Sequence, residues 1–521
     1  MYWILLLILY VLNIQLDVFF IDNIPLAYKF VYLWSNGYTI LLILLLQVML
    51  IVWYFKLNNM LINLLQFLIV IWIYIFYEKE LLIFNPLLFS PFMIFHPMIL
   101  YLSYSFMLVI SCYIINNFLY INFNFYYNLV NLYQTYIVFN KIHYSEFTDY
   151  ISRNHRSSLL SKLINISVVL SFISIILGAL WAYCELGWGG LWFFDPVENL
   201  SLLPFISILA MLHNNSNIRS AWSCLNIISI FLSIVLVRTN LLVSVHTFAN
   251  SFNNCFIYIS LLYIIIFMII FILVVWRLNV NIFNYLFYEN LIWFLFYLIL
   301  LIVIIYPVLY KYFTGSVVVL TLDFFNIYFI GFVFLMLFFM LDGWLWRFSC
   351  SLALSILFIS QYHSNYFNFF KYGYGLIISC WGICHAFVRL YQRQSCSRYI
   401  SHLGVFLVSF FMILYANCFY ENIYYLDIKD IKYSKNNNYI EQKICVNFEN
   451  RNYYPRVWYY DFEKVTHSKL DMKFFFWYDI QVFISDIHDD YVRVMVRKIY
   501  YVKMIVMSFI MIFVGLYSRR N

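Results

Sequence analysis

The stretch from residue 188 to residue 199, WGGLWFFDPVEN, gathers Trp, Gly, Asp, Pro and Glu within an otherwise hydrophobic chain. Aromatic faces beside a flexible Gly-Gly pair can form a slot for a flat apolar ligand, and a porphyrin is the obvious flat ligand. Trp188, Trp192 and Phe194 are the candidate stacking residues. We refer to residues 184–199 as the Trp-rich loop.

The end of this loop has the spacing of a helix start. Asp195 is expected as the N-cap, Pro196 as the first helical residue and Glu198 as the residue that closes a capping box. We therefore assign Asp195 and Glu198 mainly to shaping the helix rather than to direct chemistry.

Four of the ten histidines are predicted to lie at the ends of membrane spans. His96 and His246 are expected at the outer face, level with the Trp-rich loop, whereas His213 and His402 are expected at the inner face. Haem iron requires two axial ligands beyond the porphyrin nitrogens, and two imidazoles on opposite helices can supply them. The arrangement permits two haems, although a single histidine at a helix end is more often an interfacial or capping residue. Arg238 is either a snorkelling end residue or a partner for a haem propionate.

The composition requires that these residues be held by membrane helices. Hydrophobic residues make up 65% of the 521 residues and charged residues 11%, with a mean hydropathy of +0.84, whereas about a quarter of a soluble domain is charged. Hydropathy predicts about fourteen spans, near residues 3–20, 39–55, 60–77, 98–118, 163–183, 199–213, 221–238, 256–276, 290–309, 318–340, 344–360, 374–391, 402–417 and 501–517. The predicted fold is an all-α polytopic bundle with a small β-rich extramembrane domain.

Three regions are predicted along the chain. Residues 1–417 form the transmembrane bundle, 418–500 the β-rich domain, and 501–521 a final span with a basic inner tail. Alternating runs such as YVRVMV at residues 491–496 are typical of half-buried strands. Cys418 and Cys445 both fall in 418–500, where spacing leaves a disulfide open.

The charge pattern predicts the orientation. Short loops on one side collect most of the Lys and Arg residues, which places that side and both termini inside and turns the Trp-rich loop and residues 418–500 outward. The Phe-, Tyr-, Ile- and Asn-rich composition suggests translation from an AT-rich organelle genome, and the first residues lack a secretory signal. We therefore expect a multi-pass protein of the mitochondrial inner membrane, with its termini in the matrix and the outward parts facing the intermembrane space. The net charge of +7 gives no case for nucleic-acid binding.

Four motifs carry a family resemblance. The run AYCELG at residues 182–187, followed by WGGLWFFDPVEN, resembles the WWD signature of haem-handling proteins of cytochrome c maturation. The runs IFHP at 94–97, LVRT at 236–239 with LVSVHTFA at 242–249, and HLG at 402–404 resemble motifs of CcmF, the System I cytochrome c haem lyase family. These matches occur in the family's order and cover most of the chain.

The resemblance implies specific roles. The substrate haem would be held by His96, His246, Trp188, Trp192, Asp195 and Arg238, and a resident haem b would have His213 and His402 as axial ligands. Implied partners are a CcmE-like haem chaperone, apocytochrome c, a CcmH-like thiol-handling partner and membrane lipid. Thiols of the apocytochrome would add across the haem vinyl groups, with positioning by the enzyme rather than a dedicated acid or base.

The chain departs from the family pattern at several positions. Leu191 and Phe194 stand where further tryptophans are usual, and Trp34-Ser35-Asn36-Gly37 is what is left of a family turn near the N-terminus. Two alternatives to a haem lyase therefore stay open. One is a haem chaperone or exporter of the same superfamily, and the other is a structural subunit recruited into a larger respiratory-chain assembly.

Overall fold

A computed structural model describes most of the chain. The described residues are 31, 37–57, 59–75, 90–131, 142–186, 190–214, 216–239, 241–242, 254–277, 285–316, 318, 320, 333, 337, 340, 366–393, 395–417, 420–427, 431–435, 440–460, 465–487 and 491–518.

Helices dominate the described part. They are α1 (Gly37–Phe55), α2 (Met60–Ile75), α3 (Pro91–Asn131), α4 (Ile142–Glu185), α5 (Pro196–His213), α6 (Ser216–Arg238), α7 (Asn254–Arg277), α8 (Tyr285–Thr314), α9 (Tyr366–Tyr391), α10 (Cys396–Asn417) and α11 (Val502–Ser518).

Six of these helices contain a stretch long and apolar enough to cross a membrane. Within the described residues the stretches are Pro91–Leu119, Leu159–Glu185, Pro196–His213, Ile218–Arg238, Asn290–Thr314 and Cys396–Tyr415. Shorter apolar helices lie at Thr39–Phe55, Met60–Ile71, Tyr263–Val275, Gly375–Tyr391 and Val502–Ser518. The spans predicted near 3–20 and 344–360, and most of that near 318–340, lie outside the described residues.

Two helices extend further than hydropathy predicts. Hydropathy predicts spans that end near 118 and begin again near 163, but α3 continues to Asn131 and α4 begins at Ile142. Neither Pro nor Gly, the residues that most often end a helix, occurs between 98 and 131 or between 142 and 177. Helix α3 also begins earlier than expected, at Pro91, so that Pro97 lies inside it rather than at its start.

The chain divides into two compact units. The first comprises Met1–Leu82, Met93–Leu177 and Phe194–Leu320, and the second comprises Ile83–Phe92, Gly178–Phe193 and Thr321–Asn521. One of the boundaries between them falls within the Trp-rich loop, after Phe193. The second unit therefore includes the end of α4 and most of that loop besides the predicted region 418–500.

Polar side chains join the helices of the first unit. Ser105 on α3 donates to Gln47 on α1 at 3.0 Å, and Trp222 on α6 donates to Asn290 on α8 at 2.7 Å. Buried serines recur along α4 and α6, and their hydroxyls donate mainly to carbonyls three or four residues earlier in the same helix. We call these residues the serine series: Ser167, Ser171, Ser174, Ser223, Ser229 and Ser233.

The second unit contains an antiparallel β region. Its strands are β1 (Tyr420–Asp427), β2 (Ile431–Lys435), β3 (Ile440–Ile444), β4 (Val446–Phe448), β5 (Arg451–Tyr453), β6 (Arg456–Tyr460), β7 (Val465–Lys469), β8 (Asp471–Phe474), β9 (Tyr478–Ile487) and β10 (Tyr491–Tyr500). They form sheets in the orders β1-β10-β9-β8, β2-β3-β6-β7 and β4-β5. The strand predicted at 491–496 is confirmed as part of β10.

The strand pattern explains the core of this region. Val492, Val494 and Val496 alternate with more exposed residues along β10 and are fully buried. They join Ile480 and Val482 of β9 in one apolar cluster, to which Ile444 and Val457 of the other four-stranded sheet also belong. The predicted combination of a helical membrane protein with a β-rich C-terminal region is confirmed.

Candidate functional site

A cleft in the first unit brings together two of the predicted site residues. His96 of α3 and Arg238 of α6 both line it, together with Val197 and Ser201 of α5, and its volume is about 90 Å³. The other walls are mainly apolar, as in most small-molecule sites. Because such sites usually exceed about 300 Å³, this cleft has room for only part of a porphyrin.

The His96 side chain has a defined orientation. Its Nδ1 lies 2.7 Å from the backbone carbonyl oxygen of Ser174 on α4. A carbonyl oxygen can only accept, so Nδ1 carries a proton, and in the neutral tautomer the lone pair is then on Nε2. Metal-binding histidines are commonly oriented by such a bond through the other ring nitrogen. The geometry therefore suits His96 to bind iron through Nε2.

Pro97 changes the backbone next to His96. Without an N–H, Pro97 cannot donate to the carbonyl of Met93 four residues earlier, and its ring crowds that carbonyl. Met93 lines the same cleft as His96. The proline thus removes one backbone hydrogen bond of α3 at the cleft.

Arg238 is the last residue of α6 and is only 3% exposed. A snorkelling arginine would carry its guanidinium into water, so this burial disfavours the snorkelling interpretation. A guanidinium in a cleft that also holds an imidazole is suited to bind a carboxylate of a ligand.

The helix start predicted at Asp195 is confirmed. Asp195 Oδ2 accepts the Val197 amide at 3.1 Å, Glu198 Oε2 accepts the Asp195 amide at 3.1 Å, and Pro196 is the first residue of α5. Both carboxylates therefore accept backbone amides at this helix terminus, as expected for a capping box.

Phe194, just before the cap, has a strained backbone. Its φ is 56°, in the left-handed region that costs a bulky residue about 1–2 kcal/mol. The buried Asn199 side chain donates to the Phe194 carbonyl at 2.8 Å and holds this conformation. Asn199 is therefore a positioning residue of the loop. The sequence motif contains it but does not indicate this role.

The first part of the Trp-rich loop packs within the second unit. Leu191 is buried in a cluster with Tyr183 of α4, Ile499 of β10 and Val502 of α11. Gly190 is required by close approach, since a Cβ there would lie 2.7 Å from the Tyr415 hydroxyl. Leu191 thus fills a core position of the second unit.

Two polar residues of β9 anchor the helix that leads into this loop. The Tyr183 hydroxyl donates to Asp479 Oδ2 at 2.9 Å, and Gln481 Nε2 donates to the Tyr183 carbonyl at 3.1 Å. Both β9 side chains are almost fully buried. Burial raises the pKa of the Asp479 carboxyl, while the Tyr183 hydrogen bond and the charge of Lys503 act in the opposite direction. We call Tyr183, Asp479 and Gln481 the β9 anchor.

The predicted inner-face histidines lie in different units. His213 ends α5 in the first unit; it is exposed, its Nδ1 lies 2.9 Å from the Leu209 carbonyl, and its ring stacks on Trp293 at 5.5 Å between centroids. Helix α10 of the second unit carries His402.

Around His402 the second unit contains a further histidine that sequence reasoning passed over. The Tyr399 ring lies 6.3 Å from the His402 ring and 5.8 Å from the ring of His385, a residue of α9 that is 1% exposed. No span end marks His385 in the sequence, which is why hydropathy gave no signal for it.

Several predicted site residues cannot be placed in this way. Trp188, His246 and Cys418 lie outside the described residues. Trp192 is half-buried and belongs to the second unit, whereas His96, Arg238, Phe194 and Asp195 belong to the first. Cys445 is exposed. Within the described residues, then, the geometry unites His96 with Arg238 and joins Asp195 to the helix that lines their cleft.

Comparisons with known proteins show which proteins this chain is similar to. The model of a family described as cytochrome C assembly protein matches residues 25–244. The probable cytochrome c-type biogenesis protein NrfE of Escherichia coli K12 is 55% identical over 84 residues, which cover 14% of this chain and 15% of NrfE. CcmF of the same organism is 46% identical over 87 residues, covering 15% of this chain and 13% of CcmF. The ccl1 protein of Rhodobacter capsulatus is 45% identical over 87 residues, with the same coverage. Each matched segment thus spans less than a fifth of the relative's length.

A solved structure resembles the whole chain. The cytochrome c heme lyase CcmF superposes with a TM-score of 0.71 over 95% of this chain and 84% of that chain, at 14% sequence identity. At this identity the likeness concerns the fold alone. Residues 25–244 are thus similar to cytochrome c assembly proteins, with local similarity to NrfE and CcmF. Nearly the whole chain has the fold of CcmF.

Proposed function

We propose that this protein acts in cytochrome c maturation as a haem lyase, accepting haem from a chaperone and presenting it to apocytochrome c. The observation that carries the proposal is the cleft in which the oriented imidazole of His96 lies with the buried guanidinium of Arg238. An iron ligand and a carboxylate-binding cation within one apolar cleft are what a haem and its propionates need.

The proposed substrate-haem site is His96, His246, Trp188, Trp192, Asp195 and Arg238. In it His96 and His246 would bind the iron, Arg238 would bind a propionate, and Trp188, Trp192 and Phe194 would stack on the ring. Asp195 contributes through the capping box, which sets the direction in which the loop enters α5. Resident haem b is proposed at His213 and His402, where it would supply an electron to the substrate iron.

The reaction itself needs little from the protein beyond position. Each cysteine sulfur of the apocytochrome forms a bond to the inner carbon of a vinyl group, and the thiol proton is delivered to the outer carbon. No oxidant is consumed and no acid or base of the enzyme is required. Holding the vinyl carbons near the thiols accounts for the catalysis.

The partners follow from this reaction. A CcmE-like chaperone would deliver haem, and a CcmH-like protein would keep the apocytochrome thiols reduced. We infer a mitochondrial inner-membrane location with the termini in the matrix and the Trp-rich loop facing the intermembrane space, from the loop charges and the composition. The two alternatives, a haem chaperone without lyase activity and a structural subunit, draw no support from the relatives, which are named for cytochrome c biogenesis.

The proposal is tested by expressing the chain in a bacterium that lacks its own CcmF but keeps the other maturation proteins. Covalent cytochrome c should form with the natural chain and with the Phe95→Ala control, which changes an exposed neighbour, and should be lost with His96→Ala. Arg238→Lys should retain more product than Arg238→Gln because it keeps the charge. Natural levels of cytochrome c with His96→Ala would exclude this site.

The resident haem is tested separately by absorption spectroscopy of the purified protein. Reduced bands of a bis-His b-type haem should weaken in His213→Ala and His402→Ala variants and persist in His385→Ala. A haem-free preparation with full lyase activity would refute the resident haem while leaving the lyase proposal intact.

A further inference from the structure

A second pocket in the first unit lies far from His96 along α3. Its polar lining comes from Lys56 and Asn59, which connect α1 to α2, and from Tyr113, Asn116 and Asn117 of α3; its volume is about 290 Å³. The path along α3 from His96 to Asn116 is about 30 Å at about 1.5 Å per residue. This equals the thickness of a hydrocarbon core, so the pocket lies at the membrane face opposite the His96 cleft.

The span ends agree with that position. The membrane-crossing part of α3 ends at Leu119 and that of α4 begins at Leu159, and the pocket is lined by residues next to both ends. Leu159, Leu160 and Leu163 form an apolar wall along the start of the membrane-crossing part of α4. Polar donors therefore lie at the headgroup level, and the leucine wall leads toward the lipid tails.

The charges in the pocket favour an anion. Among the described residues that line it, Lys56 is the charged one, and none of them is Asp or Glu. Lys56 has a φ of 53°, a left-handed conformation that is usually adopted by Gly or Asn at the end of a helix. Its side chain is exposed. The backbone thus holds a cation, rather than the usual cap residue, at the mouth of the pocket.

Asn59 supplies a second donor. Its Oδ1 accepts the Ile62 amide at 2.9 Å and caps α2, so its Nδ2 faces the other way. This Nδ2 is buried and has no hydrogen-bond acceptor among the residues that the structure describes. A buried amide donor without an acceptor is costly, and an anionic oxygen in the pocket would satisfy it.

We propose that this pocket binds the phosphate headgroup of an anionic phospholipid of the inner leaflet. Lys56 and Asn59 would contact the phosphate, and the amides of Asn116 and Asn117 would contact the polar headgroup. The leucine wall would receive the start of an acyl chain. Basic pockets between membrane helices on the positively charged face are known to take such headgroups. The inference does not depend on the haem chemistry.

Native mass spectrometry of the full-length protein tests this proposal. Protein taken from vesicles of phosphatidylcholine with phosphatidylglycerol should retain phosphatidylglycerol, and Lys56→Gln should lower the retained fraction about fivefold. Asn59→Asp is the sharper variant, because Asp caps α2 as well as Asn does while placing a carboxylate where the donor stood. The matched control is Lys162→Gln, which removes an exposed lysine next to the leucine wall but outside the lining.

Each outcome is decisive. Loss of the lipid in the Lys56 and Asn59 variants with retention in the Lys162 variant supports the site. Equal loss in all three variants would mean general surface attraction and would overturn it, as would equal retention of phosphatidylcholine. A separate experiment measures the thermal stability of the protein in inorganic phosphate without lipid. If phosphate stabilises the protein as much as phosphatidylglycerol does, the pocket is a site for free phosphate instead.

Discussion

Replacing Asp195 should separate its role in helix architecture from a role in haem chemistry. In Asp195→Ala the Val197 amide loses its acceptor at 3.1 Å, and the reciprocal bond from the Asp195 amide to Glu198 loses its geometric support. Loss of an N-cap typically costs about 1 kcal/mol. Because 1.4 kcal/mol is a factor of ten, the first turn of α5 should open about fivefold more often.

The assay is amide hydrogen exchange of a peptide covering residues 194–200, measured alongside covalent cytochrome c formation. Asp195→Asn is the matched control, since Asn is as good an N-cap as Asp but carries no charge. It should restore both slow exchange and cytochrome c formation, whereas Asp195→Ala should lose both in part. An Asp195→Asn variant with normal exchange but the cytochrome c defect of Asp195→Ala would refute the architectural assignment and show that the carboxylate acts on the ligand.

Three further predictions concern the second unit. Tyr183→Phe leaves the buried Asp479 carboxyl without its hydroxyl donor, which should lower the free energy of unfolding by about 1–3 kcal/mol, measured by denaturant or thermal unfolding in detergent. Because burial raises the folded-state pKa of Asp479, the folded state binds this proton more tightly than the unfolded state. Stability should therefore be highest below the usual carboxyl pKa and fall as the pH rises through the raised value; Asp479→Asn should remove this component, and an unchanged pH profile would contradict the assignment. Gly190→Ala should lower the yield of monodisperse protein because its Cβ would meet the Tyr415 hydroxyl, and adding Tyr415→Phe should recover part of it. Full yield from Gly190→Ala alone would show that the loop can move away.

The parts of the site that the sequence predicts correctly are local. The capping box could be predicted because its partners lie within three residues of one another. The order Asp, Pro and then Glu is typical of a helix start. Strand β10 could be predicted because burial on one face of a sheet imposes a period of two on the sequence.

The contacts between distant segments could not be predicted. The acceptor for His96 is a backbone carbonyl 78 residues away, and a carbonyl leaves no mark on the side-chain pattern. Asp479 lies 296 residues from Tyr183, and a lone Asp in a strand gives no sign that a helix end meets it. Hydropathy measures how well a segment tolerates lipid, so it finds spans but not which helix packs against which. His385 was missed because it lies inside a predicted span, away from the span ends.

The serine series of α4 and α6 has a consequence for how the protein is made. A hydroxyl that had to wait for a neighbouring helix would enter the bilayer unsatisfied, which is costly in hydrocarbon. Most hydroxyls of this series donate within their own helix, and Ser233 adds a bond to the Leu200 carbonyl of α5. Helices α4 and α6 can therefore insert with these serine hydroxyls already bonded, and a hydroxyl can share its bond when the neighbouring helix arrives. Insertion and assembly can therefore be separate events. During assembly, the small serine side chains allow the backbones of neighbouring helices to approach closely.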